Sequence, residues 1–172
     1  LMTDIRYRFF ALLVALVVVP SSAVGSPLDA PGVGRKRLTI GIHAPFTGAA
    51  PLPSQSLQKG ADLYFRWLEH KGIKINGRYV DVVIRNDNSN PSQAVAACKE
   101  MLKKDSAFML VGIVGAESIH ACGRYAESQG VPYVSWAAST YGMKKLKRYF
   151  ATSMPYEKQA GLIAKLLVAR HG

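Results

Sequence analysis

Residues 79–114 read YVDVVIRNDNSNPSQAVAACKEMLKKDSAFMLVGIV. Two short apolar, β-branched runs, Tyr79 to Arg85 and Phe108 to Val114, flank a segment in which Ala94, Val95, Cys98, Met101 and Leu102 share one helical face. Asn90 as N-cap, Pro91 at the first helical position and Gln93 at the third predict where that helix begins. Both runs are nearly continuous, as strands covered on two faces are. A strand, a helix and a strand in succession require a right-handed crossover between parallel strands. The stretch is one βαβ unit.

The same alternation extends outward. Leu38 to Ala44 and Val131 to Trp136 are further strand-like runs, and a short fifth is expected near Tyr149 to Thr152. Leu57, Gly60, Ala61, Tyr64, Trp67 and Leu68 share one helical face, as do Ile119, Cys122 and Ala126. Pro155 opens a last helix ending by Arg170, and Asn76-Gly77 is a tight-turn signal ahead of the second strand. Strands joined by single helices give an α/β fold with an open, doubly wound parallel sheet. Small ligands of such sheets sit outside the carboxyl ends of the strands, where the strand order reverses. The loops to inspect are therefore 45–55, 115–118 and 136–141.

Ahead of the first strand lie two segments of another kind. Arg6 and Arg8 precede an apolar run from Phe9 to Val19, followed by Ser21, Ser22, Ala23 and Gly25. That is the order of a secretory signal peptide, expected over residues 1–25. The run has 11 residues, too few for a bilayer-spanning helix of about 20. Residues 26–37, SPLDAPGVGRKR, are expected to be a flexible lead-in, and 38–172 the folded lobe.

With 172 residues and 49% hydrophobic content, the chain is long enough for one domain with a real core. Two cysteines exclude a disulfide-framework miniprotein. The net charge of +11 is scattered and lacks an aromatic-rich basic stripe, which argues against a nucleic-acid partner. The run Lys144 to Arg148 is a short basic patch, solvated or touching an anionic envelope surface.

The loops are informative through what they lack. No G-x-G-x-x-G follows the first strand; Pro51 and Pro53 stand where a phosphate cradle needs backbone N–H groups. There is no G-x-S-x-G elbow and no P-loop, and His43, His70, His120 and His171 lack metal-ligand spacing. No metal, cofactor or catalytic residue is expected. His43 ends a strand without a visible partner, and Asp87 reads as a turn residue within Asn86 to Asn90. What remains is small and hydroxyl-bearing: Gly115-Ala-Glu-Ser118 opens a helix whose free N–H groups can receive a carboxylate, and Ser139 and Thr140 offer hydroxyls. This chemistry holds a small molecule without converting it; the alternative is that Ser139 and Thr140 are simple turn residues.

Several blocks then carry a resemblance: IGIHAPFTG (40–48), KGADLYF (59–65), INGRYVDVVIRNDNSNPSQAVAACKEM (75–101), VGIVG (111–115), GVPYVSWAAST (130–140) and RYFATSMP (148–155). In order and spacing, over Leu38 to His171, they resemble the N-terminal lobe of type I periplasmic binding proteins, specifically the leucine/isoleucine/valine-binding family of ABC importer substrate-binding proteins. The resemblance implies that the stretches matching Gly112 to Ser118 and Ser135 to Thr140 hold the ligand's carboxylate and ammonium. It carries Ala116, Ala137 and Ser139 to contact positions, with Ala138 between the last two. Leu52 or Pro53 falls where many members present an aromatic residue. Ala116 stands where a hydroxyl residue is usual, leaving only its N–H, and Glu117 would repel a carboxylate unless it faces solvent. Trp136 replaces a common proline; with Tyr141 it either walls a pocket for a larger apolar ligand or is core.

The implied function is extracytoplasmic capture of an amino acid or related small molecule for the membrane subunits of an ABC importer, without catalysis. A ligand-sensing ectodomain of a receptor is the alternative. The family closes two lobes around its ligand, and only the first is represented in this sequence. Cys98 and Cys122 lie on inward helix faces that a doubly wound sheet sets side by side, so a bridge and two buried thiols are the alternatives.

Overall fold

A computed structural model describes residues 31–47, 51–135, 143 and 145–171. Their elements are β1 (Arg37–Ala44), α1 (Pro51–His70), β2 (Tyr79–Asn86), α2 (Pro91–Lys103), β3 (Met109–Gly112), α3 (Ala116–Ser128), β4 (Tyr133–Ser135), β5 (Tyr149–Ala151) and α4 (Tyr156–His171). The strands form one sheet in the order β2-β1-β3-β4-β5, every pair parallel. Strand order reverses between β1 and β3, as the doubly wound reading requires.

Alternation along β1 builds a core on each face of the sheet. Ile40, Ile42 and Ala44 pack with Ile113, Leu57 and Ala61, which places α1 on that side. The other side holds Ala94, Cys98 and Met101 of α2, Ile119, Cys122 and Ala126 of α3, and Leu110 and Tyr133 of the sheet. Gly41 points there too: a side chain on it would fall 2.8 Å from Leu110 and 2.9 Å from the Met101 sulfur, so its bareness lets α2 approach.

Local signals act as read. Asn90 Oδ1 accepts from the N–H groups of Ser92 (2.9 Å) and Gln93 (3.1 Å) at the start of α2. Asn76 and Gly77 both adopt positive φ, and Ile75 and Arg78 pair across the turn. Cys98 and Cys122 are bridged, tying α2 to α3 with their Cα atoms 6.3 Å apart.

Other expectations are corrected. Loop 45–55 is shorter, because α1 starts at Pro51; proline suits a first helical turn, where its missing N–H has no helical partner anyway. Of the α1 face read from spacing, Leu57, Ala61 and Leu68 turn inward, joined by Ser54 and Phe65, while Gly60, Tyr64 and Trp67 lie exposed. Strand β2 is an edge, only partly buried, although its sequence reads as doubly covered. Residues 31–36 of the lead-in make a hydrogen-bonded turn, with Val33 bridged to Leu38 and Thr39 N–H donating to the Gly32 carbonyl at 3.0 Å. The proposed leader 1–25 lies outside the described residues.

Candidate functional site

The reversal between β1 and β3 sends α1 to one face and α3 to the other, so a crevice opens between their N-termini at the carboxyl edge of the sheet. The α3 lip is bare. Gly115 caps the helix at φ 88° with no side chain to accept a hydrogen bond, and first-turn N–H groups have no partner inside a helix. Ala116 and Glu117 are exposed. The Glu117 carboxylate thus faces solvent, where it complements the helix dipole without occupying the lip.

Behind them the Ser118 hydroxyl is buried and has no hydrogen-bond partner among the described residues; across the crevice the Ser54 hydroxyl in the first turn of α1 is in the same condition. A buried orphan hydroxyl is costly, and two at one edge mark places where a polar ligand group would be welcome. Ser118 lies in the stretch that the family resemblance assigns to the ligand, whereas Ser54 carries no such mark; its one signal in the sequence is a serine in the first turn of a helix leaving a strand end.

The β1–α1 connection is held by the Asn86 to Asn90 turn. Phe46 N–H donates to Asn86 Oδ1 (2.9 Å), Asn86 Nδ2 donates to Thr47 Oγ1 (3.0 Å), and Thr47 Oγ1 donates to Asn88 Oδ1. Leu52 and Pro53 stand exposed in the first turn of α1, on the rim. Trp136, Ala137, Ala138, Ser139, Thr140 and Tyr141 lie outside the described residues. The structure therefore gathers Leu52, Pro53, Ala116 and Glu117 at one edge.

His43, read as partnerless, is fully buried and doubly bonded. Its Nδ1 lies 2.7 Å from Asp87 Oδ2 and its Nε2 2.6 Å from the Tyr133 hydroxyl. With the Asp87 oxygen as acceptor, Nδ1 carries the proton and Nε2 accepts from the Tyr133 hydroxyl. Asp87 keeps its expected turn role as well, accepting from Ser89 N–H at 2.8 Å. Burial, together with the nearby Tyr149 and Asp87, pushes the Tyr133 phenol well above its usual range. Fully buried, the relay ties β1, the Asn86 to Asn90 turn and β4 together. Among the described residues, one group of potential metal ligands is found: His43 with Cys98 and Cys122, their donor atoms within 4.8 Å of one another.

Residues 37–172 match the family model described as Periplasmic binding protein, and the chain belongs to that family. The family is one of non-enzymatic ligand carriers. Among solved structures, a possible leucine/isoleucine/valine-binding protein from Rhodopirellula baltica superposes with TM-score 0.71 at 14% identity, over 85% of this chain and 38% of that one. A fatty acid ABC transporter substrate-binding protein from Thermomonospora curvata gives 0.71 at 20% identity, over 82% and 35%. A Rhodopseudomonas palustris ABC transporter solute-binding protein in complex with 4-hydroxybenzoate gives 0.68 at 21%, over 79% and 37%. The chain thus spans little more than a third of these structures' lengths. No curated relative matches it. Among the described residues, no helix is long and apolar enough to cross a membrane.

Proposed function

We propose that this chain forms one wall of the ligand cleft of an extracytoplasmic solute-binding protein, which holds a small carboxylate at the α3 lip and passes it to the membrane subunits of an ABC importer. The observation that carries the reading is the uncapped α3 N-terminus with the orphan Ser118 hydroxyl behind it. Helix N–H groups and a buried hydroxyl together suit an anion.

The compounds named with the similar structures, branched-chain amino acids, 4-hydroxybenzoate and a fatty acid, differ in every part except the carboxyl group. Residues 1–25 serve as the export signal in this reading. Ala137, Ala138 and Ser139 complete the polar contacts, and Leu52, Pro53, Trp136 and Tyr141 meet the apolar remainder. A second lobe covers the opposite side of the ligand, because a good site buries most of a ligand's surface.

Calorimetric titration of the full chain with leucine and 4-hydroxybenzoate, each against its neutral amide, tests the proposal. With one wall covering only part of the ligand, the acid is expected to bind weakly and the amide at least tenfold more weakly still. Ser118→Ala should weaken the acid roughly fivefold, the worth of one hydrogen bond. Equal binding of acid and amide overturns the carboxylate reading.

A further inference from the structure

We propose that Cys98, Cys122 and His43 form a redox-gated site for one thiophilic divalent cation of the zinc class. The three side chains come from α2, α3 and β1, and all are fully buried. Their sulfur and nitrogen donor atoms lie within 4.8 Å of one another. Tetrahedral zinc, with bonds of about 2.3 Å to sulfur and about 2.0 Å to nitrogen, sets its donors roughly 3.5–4 Å apart. In the disulfide the two sulfurs are bonded to each other and much closer than this, so they must part after reduction, which Cα atoms 6.3 Å apart allow by side-chain rotation.

The imidazole is already prepared. Asp87 accepts from Nδ1–H at 2.7 Å, so the ring's free lone pair is on Nε2. A carboxylate behind a histidine in this way is the usual outer support of a metal-bound imidazole. The Tyr133 hydroxyl now occupies Nε2 at 2.6 Å and gives up that bond when the cation arrives. Charge also balances: two thiolates neutralise a divalent ion, which a dry core accepts far better than a lone charge.

Oxidation state is the gate. In the disulfide the two sulfurs are bonded to each other and offer no thiolate. A dithiol reductant supplies two electrons and two protons, breaking the S–S bond to two thiols while it is itself oxidised to a disulfide. The cation then displaces the two thiol protons to solvent. A small-molecule disulfide then takes the two electrons by thiol–disulfide exchange, leaves as two thiols, rejoins Cys98 to Cys122 and so releases the cation.

The test uses the full chain, reduced by a dithiol under argon, freed of reductant and titrated with Co²⁺. The expected result is one ion per chain, with thiolate-to-cobalt charge transfer and the strong visible bands of a tetrahedral site, all erased by Zn²⁺ and absent from the unreduced chain. Asp87→Asn should weaken binding 10- to 100-fold. Tyr133→Phe, which frees Nε2, should tighten it roughly fivefold. A purely structural tyrosine would not act in that direction. Weak octahedral bands, or the same spectrum and affinity in His43→Gln, overturn the site. Should His43→Gln fail to fold, unchanged or weaker binding by Tyr133→Phe overturns it instead.

Discussion

Gly112 shows how one missing side chain organises the centre of the sheet. A Cβ there would sit 1.9 Å from the Tyr133 hydroxyl oxygen and 2.9 Å from His43 Nε2, so glycine is the residue that lets the two meet. Gly112→Ala is expected to destabilise the protein by about 3 kcal/mol through overpacking and a broken buried hydrogen bond. Gly161→Ala in α4, where nothing stands near the new methyl, should instead gain about 0.5–1 kcal/mol. Urea unfolding of the pair separates the two effects. Tyr133 makes a second prediction at this scale. Its phenol, and by burial that of Tyr149, holds its proton to higher pH in the fold than in the unfolded chain. The unfolded chain therefore releases protons first; stability is intact below about pH 10 and lost as pH rises beyond it, by up to about 1.4 kcal/mol per pH unit for the buried Tyr133 and by less for the half-exposed Tyr149. Tyr133→Phe should flatten that alkaline decline in urea midpoints, and an unchanged slope would contradict the assignment.

At the scale of elements, the bridge between α2 and α3 closes a sequence separation of 24 residues over the buried relay. The double variant Cys98→Ser, Cys122→Ser is expected to lose about 3 kcal/mol, with the urea midpoint falling and the dependence on denaturant steepening as the unfolded chain expands. Helix starts behave unequally, and the difference is functional. Helix α2 is closed by Asn90, whereas α3 is left open by Gly115 at the edge where a ligand would sit. Gln93 shows a local signal diverted by its surroundings: the Asn90 N–H that it would cap is taken by the Asp87 carbonyl, and its own side chain accepts from Asn88.

Across the whole molecule, α4 stands apart. It has no buried residue and exposes Leu162, Ile163, Leu166, Leu167 and Val168. Such a helix is suited to lie under other structure, which in the proposed function is the second lobe. The isolated chain is expected to self-associate as its concentration rises, and Leu166→Glu with Leu167→Glu should suppress this in light scattering without lowering the melting temperature. Unaltered association would remove α4 as its cause.

Element order, parallel pairing, the Asn90 cap and the Asn76-Gly77 turn were all legible in the sequence, because periodicity and turn chemistry are local and survive without knowledge of neighbours. The inward halves of α2 and α3 were equally plain, since their apolar faces agree with the sheet they cover. What tertiary structure alone decided is every feature made by residues distant along the chain. Among these are the exposure of Tyr64 and Trp67, the edge position of β2, the orphan hydroxyls of Ser54 and Ser118, and the burial of His43 between Asp87 and Tyr133 beneath the disulfide. Burial and hydrogen bonding depend on which surfaces the crossovers bring together, and a lone histidine or serine carries no periodic signal of its partner.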